Sequence, residues 1–433
     1  MSKPERSRRM PALVAATFLC LLSSACSSAG WPGSPGATGG EFSTPGAVEY
    51  VSEVGWEWQA PEESRILNVE PVAMGAAVTL DTGIVILHGD TGEEVWSHLV
   101  SEEEFFSAGL TADGSAFLVA RGPDREEPPE ETLILDAGTG AVKGEFRVRK
   151  DLAPWDLRRV SEAERVHRPE GVLEEYRPLS VIEVDDGTQR WQQEKPLSCE
   201  IAPELPSSQD DTAIHGSTLL VLVTCTPEDG GHRPFESAVA VVAVDLADGT
   251  ELWRQEFAYS SENRFPRISF AVEEDSVLLA NNESREVHAI GIESGEIEVS
   301  AEGSVIAFHE NGILIQATAA QGSHYELLNA DLDPIASMET SENLEESEES
   351  RHALPLPEGV VGVEIVESDT DETTATIGFT SWETGETKLL DPGLPALQST
   401  SLSQFPGSLV GVPGAVLLVG GEHWGENELI AYQ

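Results

Sequence analysis

An apolar run of alternating pattern, a tight turn and a bulky residue opening the next strand recur along this chain at intervals of about 40 to 60 residues. Val85 to Trp96 reads Val-Ile-Leu-His-Gly-Asp-Thr-Gly-Glu-Glu-Val-Trp, and Val242 to Trp253 reads Val-Ala-Val-Asp-Leu-Ala-Asp-Gly-Thr-Glu-Leu-Trp. Each is a period-two strand, a turn and a second strand. A lone hairpin cannot cover its own faces, so its repetition implies blades packed radially against one another.

The repeats are counted from the strand after each turn. These strands begin near Trp96, Phe146, Trp191, Trp253, Ile297, Ile335 and Thr387. The turns before them are Asp90-Thr91-Gly92, Gly138-Thr139-Gly140, Asp186-Gly187-Thr188, Asp248-Gly249-Thr250, Ser294-Gly295, Asp331-Leu332-Asp333 and Glu383-Thr384-Gly385. Glycine supplies positive φ, and Asp or Thr side chains bond the turn backbone; the sixth turn lacks glycine. Val54-Gly55-Trp56-Glu57-Trp58 reads as a last strand without predecessors, whereas Leu409 to Val419 and Glu428 to Tyr432 read as inner strands without a last one. Together they form one more blade. The expected fold is therefore all-β, an eight-bladed propeller of four-stranded antiparallel blades, closed by strands from the two ends of the chain.

The opening residues read as a targeting segment. Arg6, Arg8 and Arg9 precede an apolar stretch, Pro11 to Leu22, too short to span a bilayer comfortably. Leu22-Ser23-Ser24-Ala25-Cys26 resembles a bacterial lipobox, with serine at the third position before the cysteine. The expectation is a lipoprotein signal peptide over 1–25 and a palmitate-bearing mature N-terminus at Cys26. An ordinary secretory signal containing a chance cysteine is the alternative; Ser7-Arg8-Arg9 also resembles a twin-arginine signal, although Pro11 departs from that pattern. Residues 26–47, rich in Ser, Gly, Pro and Thr, are expected to form a flexible tether with an end-to-end distance of roughly 25 Å. The propeller is then expected over 48–433, on the extracytoplasmic side of the cell membrane.

Of the four cysteines, Cys20 leaves with the signal and Cys26 takes the lipid, so Cys199 and Cys225 remain in the exported domain. An oxidising compartment favours a disulfide between them over two free thiols. Such a bond contributes about 3 kcal/mol.

The chain carries 77 acidic against 25 basic residues, a net charge of −52. Such a surface repels nucleic acid and anionic headgroups. Its lysines are five, Lys3, Lys143, Lys150, Lys195 and Lys388, and carboxylate-rich, lysine-poor surfaces suit salty surroundings. An acidic face for cations or a basic partner is the other reading.

The pattern Ala-x-Asp-x-x-Thr-Gly-x-x-x-Trp, approached by Leu133 to Phe146 and Ala243 to Trp253, is similar to the repeat of the PQQ-like (quinoprotein-type) β-propellers. The resemblance covers most of the chain after about residue 50. That superfamily includes quinone-dependent dehydrogenases and the cofactor-free outer-membrane-barrel assembly lipoproteins. The resemblance implies that Trp96, Trp191 and Trp253 wedge between neighbouring blades; stacking on a ligand is their other reading.

Motifs of catalysis are nearly absent: there is no HExxH, GxSxG, Walker A or GxGxxG. His88, ending an apolar run, reads as a satisfied buried turn residue rather than a metal ligand. Glu367-Ser368-Asp369-Thr370-Asp371-Glu372 lacks the glycine and distal glutamate of a calcium loop and reads as a solvated acidic loop. Quinoprotein dehydrogenases carry a disulfide between adjacent cysteines, and this chain has no adjacent pair. The expectation is therefore no cofactor and a non-catalytic interaction or ligand-binding module. A quinone-dependent oxidoreductase and a cell-wall glycan binder or hydrolase are the alternatives.

Strands in a blade alternate in direction, so connections from second to third strands share one end with those between blades. That end carries the long insertions: Arg121 to Glu131, Asp151 to Glu170, Thr226 to Glu236, Thr340 to His352 and Glu367 to Thr373. A rigid scaffold tolerates length variation where function is carried. The expected partner, an envelope protein or polymer that is basic or bridged by cations, docks there, with Glu345, Glu346, Glu348 and Glu349 as the candidate binding loop; simple solvation of these carboxylates is the alternative.

Overall fold

A computed structural model describes residues 36–37, 42–62, 64–100, 105–111, 114–122, 131–147, 164–167, 180–183, 189–192, 212–225, 235–261, 268–273, 275–281, 284–309, 311–319, 322–339, 353–367, 373–391, 408–420 and 427–433. All of these lie in the unit formed by residues 35–433.

Every element among them is a strand, as the alternating pattern predicts. β1 (Gly36–Ala37) is a short addition, and β2 (Val54–Gln59) belongs with the end of the chain. The first full blade is β3 (Ile66–Val72), β4 (Gly75–Leu80), β5 (Gly83–His88) and β6 (Glu94–Leu99). The second is β7 (Phe105–Leu110), β8 (Ala116–Gly122), β9 (Glu131–Asp136) and β10 (Val142–Arg147). A three-stranded sheet follows, β11 (Glu164–His167), β12 (Ser180–Glu183) and β13 (Gln189–Gln192). Next come β14 (Thr212–His215), β15 (Thr218–Cys225), β16 (Phe235–Asp245) and β17 (Glu251–Ser261), then β18 (Ile268–Glu273), β19 (Ser276–Asn281), β20 (Glu286–Gly291) and β21 (Ile297–Glu302). The last complete pair is β22 (Ser304–His309), β23 (Gly312–Ala319), β24 (Gly322–Leu328) and β25 (Pro334–Glu339), followed by β26 (Ala353–Leu356), β27 (Gly359–Glu367), β28 (Thr373–Ser381) and β29 (Thr387–Asp391). β30 (Ser408–Val412), β31 (Ala415–Val419) and β32 (Glu428–Tyr432) end the chain.

The final sheet has the order β2-β32-β31-β30. Val54 stands opposite Tyr432 and Gln59 opposite Glu428 in an antiparallel ladder, so the split blade forms as expected. The count does not. Among the described residues seven sheets carry the full four-stranded antiparallel blade, not the expected eight. Among the described residues the third repeat has Trp191 and the strands β11, β12 and β13, each of four residues; its turn, Asp186-Gly187-Thr188, lies outside them. β12, four residues long, is shorter than the middle strands of the other sheets, whereas its register shift at Val181/Ile182 is the one that complete blades also carry, as at Ala243/Val244.

The core lies between blades. β4 and β5 are buried along their whole length, because a middle strand has a neighbouring sheet over each face. In β15, Leu219, Val221 and Val223 pack with Val181 of the three-stranded sheet, while Leu220 and Leu222 pack with Val277, Leu279 and Ile290 of the following blade. Period two thus sends successive apolar residues to two different interfaces, which is why such strands read as unbroken apolar runs. Outermost strands face solvent on one side and alternate instead: in β21, Val299 and Ala301 are half-buried and Ile297, Glu298, Ser300 and Glu302 are exposed. First strands approach one another, β3 with β30 and β26 with both β22 and β30, and so lie on the inside.

Residues 36–37 and 42–47, within the segment assigned to the tether, make defined contacts. Gly36 and Ala37 pair with Ser97 and Trp96 on the outer edge of β6. Gly46 accepts a backbone hydrogen bond from Gly414 at 2.8 Å, and Glu49 accepts one from Glu358 at 3.1 Å.

Candidate interaction faces

Among the described residues five third-to-fourth connections are built on one five-residue plan. The amide of the fifth residue donates to the carbonyl of the first: Gly92 to His88, Gly140 to Asp136, Gly249 to Asp245 and Gly295 to Gly291, all at 2.8 Å, and Gly385 to Ser381 at 2.9 Å. Closing so tightly requires positive φ, and these glycines have φ between +66° and +76°. The sixth turn, which lacks glycine, is one residue shorter: Leu332 donates to Asn329 at 3.0 Å and itself takes φ +60°.

A second demand falls on four of the glycines. A Cβ on Gly92, Gly140, Gly249 or Gly295 would strike the indole of Trp56, Trp96, Trp191 or Trp253, respectively. Each of these indoles also donates its N–H to a carbonyl in the same turn. The distances are 2.8 Å from Trp56 to Gly89, 3.0 Å from Trp96 to Ala137, 2.8 Å from Trp191 to Leu246 and 2.6 Å from Trp253 to Ile292. An aromatic body with a polar edge can fill an apolar seam and still satisfy a buried carbonyl. The wedge role expected of Trp96, Trp191 and Trp253 is what the geometry shows. Trp56 does the same at the ring closure; its place in β2, matching that of Trp96 in β6, was the available signal. In β25 the place corresponding to Trp96 is held by Ala336, opposite Leu327, which has no indole to make a wedge; Ile335 falls at the register shift before it and is 58% exposed.

This turn end is further cemented at the closure. The Gln433 amide donates to Asp90 at 2.9 Å and to Gly414 at 3.1 Å, while its backbone carbonyl accepts from Ser52 at 2.6 Å and Glu53 at 3.1 Å. His88 is buried, donates from Nε2 to the Ser43 carbonyl at 2.7 Å and stacks on Phe42 with ring centroids 5.2 Å apart. It is a satisfied turn residue, as expected. In the second blade, burial raises the Asp136 carboxyl, but the Thr139 hydroxyl, Lys143 and the Thr139 amide together hold it below the ordinary value. The Asp248 carboxyl is lowered by the Thr250 hydroxyl and amide.

One titratable group sits in a seam between blades away from the turns. His288 of β20 stacks on Phe257 of β17, centroids 5.0 Å apart, and pairs through Nδ1 with the Ser300 hydroxyl at 2.8 Å. Burial lowers its pKa against the opposing pull of Glu286.

The opposite end receives the connections between second and third strands and between blades. Strand directions put Gly122/Glu131, Cys225/Phe235, Glu339/Ala353 and Glu367/Thr373 at that end. Residues 123–130, 226–234, 340–352 and 368–372 lie outside the described residues, and with them Glu345, Glu346, Glu348, Glu349 and most of the Glu367 to Glu372 segment. Cys26, Cys199 and the side chain of Cys225 lie outside them too. Among the described residues no group of three or more His, Cys, Asp or Glu could hold a metal ion, and no helix is long and apolar enough to cross a membrane.

A family model described as outer membrane protein assembly factor BamB matches residues 237–331, from β16 into the sixth turn. No curated protein matches the chain in sequence. Among solved structures, BamB from Moraxella catarrhalis aligns over 87% of this chain and 100% of its own, at 12% identity and a TM-score of 0.43. The quinohemoprotein alcohol dehydrogenase of Comamonas testosteroni aligns over 88% and 76%, at 10% identity and a TM-score of 0.46. The computationally designed Ika8 protein aligns over 79% and 99%, at 11% and 0.35. The chain is a β-propeller whose residues 237–331 are similar to the BamB family model.

Proposed function

We propose that this protein is a lipid-anchored, cofactor-free propeller that serves as an interaction scaffold on the extracytoplasmic side of a bacterial cell membrane. The observation that carries the reading is the match of residues 237–331 to the BamB family model, whose description is that of an assembly factor rather than an enzyme. The two ends of the domain support it. The turn end is closed by short, fully bonded turns and indole wedges, a rigid base, while length variation collects at the other.

In this reading residues 1–25 are a signal peptide, Cys26 carries the lipid, 26–47 link it to the domain at 48–433, and Cys199 and Cys225 are bonded. A basic or cation-bridged envelope protein or polymer docks on the insertion-bearing end, where Glu345, Glu346, Glu348 and Glu349 attract it. Crosslinking in intact cells followed by mass spectrometry tests the scaffold directly: recovery of a reproducible envelope partner is expected, and recovery of none sinks the reading. Neutralising the four glutamates together is expected to weaken that capture in a salt-dependent way. An unchanged capture would make the acidic loop a solubility device. For the anchor, Cys26→Ala is expected to block processing or release the protein, whereas a fully soluble wild type cleaved elsewhere removes the lipoprotein reading. Intact mass after alkylation without reductant is expected to show no modified thiol; two alkylated cysteines overturn the disulfide.

The quinoprotein-type repeat makes a quinone-dependent oxidoreductase the second reading. A quinone absorbance band in protein purified from its native host would decide for it.

A further inference from the structure

The outermost strand of each blade leaves one edge of the sheet facing outward, and β17 is unlike the others. It has eleven residues, whereas β2, β6, β10, β13, β21, β25 and β29 have four to six. Past the shift at Ala243/Val244, nine consecutive residues, Trp253 to Ser261, pair with Ala243 to Phe235 without interruption. β15 stops with Cys225 opposite Ala238, so Tyr259 to Ser261 and Phe235 to Ser237 continue as a two-stranded ribbon toward the insertion-bearing end. Among the described residues no strand pairs with the outer side of β17.

Proteins blunt open edges with brevity, charge, proline or bulges. The far half of β17 uses none of these. Phe257-Ala258-Tyr259-Ser260-Ser261 contains no charged residue and no proline, in a chain with 77 acidic side chains, and its register is unshifted. The stack of Phe257 on His288 fixes the near end of this segment to the adjacent blade, so the edge is held straight before any partner arrives. The rim already accepts an extended segment once: Gly36–Ala37 pairs antiparallel with the outer edge of β6.

We propose that the outer edge of Phe257–Ser261 is a docking edge that takes an extended segment of a partner polypeptide by β-strand addition, the partner carrying lysine or arginine around that segment. Strand addition draws affinity from main-chain hydrogen bonds, which explains why an uncharged stretch suffices at the contact itself. The charge of the molecule selects the occupant. Two copies of this chain would meet edge to edge carrying −52 each, whereas a basic segment is attracted. The inference rests on the scaffold reading and specifies the surface used.

The full-length protein is titrated with two fluorescent peptides of equal charge, one of alternating Thr and Val with Lys at both ends, the other identical except for a central proline. Preference for the strand-forming peptide by at least about tenfold, the worth of one or two backbone hydrogen bonds, is expected. Equal binding of the two overturns the proposal by reducing the effect to charge. Ala258→Pro and Tyr259→Pro complete the test, since neighbouring residues direct their N–H groups to opposite sides and proline is tolerated at an outward-facing position. The variant that keeps the wild-type melting temperature is expected to lose the preference; retention of it overturns the proposal. Should both variants fail to fold, hydrogen exchange on the wild type decides: amides of Phe257–Ser261 slow when the strand-forming peptide is added, and no slowing there overturns it. Sedimentation of the wild type as a dimer that the folded proline variant abolishes would make a second copy the occupant and overturn the assignment. A cellular partner captured equally by wild type and folded variant sinks the edge while leaving the scaffold standing.

Discussion

The indole N–H of Trp56 donates to the carbonyl of Gly89 across 2.8 Å, tying the strand that completes the last blade to the turn of the first. Both groups are buried, and Gly92 of the same turn lies flat against the ring. The seam where the chain closes on itself thus uses the same joint as the seams between Trp96 and Ala137 and between Trp253 and Ile292.

Trp56→Phe is therefore expected to keep the aromatic wedge but leave the Gly89 carbonyl with only the longer bond from the Gln433 amide, 3.3 Å, at a cost of about 1 kcal/mol, the net worth of one hydrogen bond. Denaturant unfolding would measure it. A variant as stable as the wild type would mean that the Gln433 amide or water fully replaces the bond and that the joint is apolar packing alone.

Gly295 and Gly385 separate the two demands on the turn glycine. Both have positive φ, but only Gly295 faces an indole; nothing lies within 4 Å of a Cβ at Gly385. Gly385→Ala is expected to cost about 1 kcal/mol from backbone strain alone, and Gly295→Ala about 1–3 kcal/mol more from overpacking against Trp253. Equal losses would show that the tryptophan moves aside freely.

Removing residues 48–60 deletes β2 and leaves β32 as an open edge. The expected result is a lowered melting temperature for the domain as a whole rather than loss of one blade, because each blade is a wall of its neighbours' cores. A truncated protein with unchanged thermal stability would contradict closure as a determinant of stability.

His288 predicts a pH dependence whose sign follows from its burial. Its folded pKa lies below the ordinary 6.5, so the unfolded chain binds the proton more readily. Its contribution to stability is fully present above 6.5 and is lost as pH falls through the lower folded value. NMR titration should place the midpoint below that of a free histidine, and His288→Phe, which keeps an aromatic ring against Phe257, should remove this component of the stability profile. A midpoint at or above 6.5 would contradict it.

Much of this architecture was legible residue by residue. Asp136, Thr139 and Gly140 announce a turn because their hydrogen bonds close within five residues, and Leu219 to Val223 announces a strand covered on both faces because no polar residue interrupts it. The pairing of Val54 with Tyr432 was readable for a related reason, since an orphan last strand and an orphan set of inner strands complement each other. All these signals are local or additive along the chain. What tertiary structure alone decided depends on which residues meet. Trp191 and its turn read as a blade, yet among the described residues β11 to β13 form a three-stranded sheet, because strand number depends on partners and not on the hairpin. Phe42 and Ser43, in a stretch composed like a linker, cover His88 because a buried imidazole needs an acceptor and the backbone passing over it supplies one. The eleven-residue reach of β17 is set by its hairpin ladder with β16, and only the register shows that this ladder runs on past the end of β15 at Cys225.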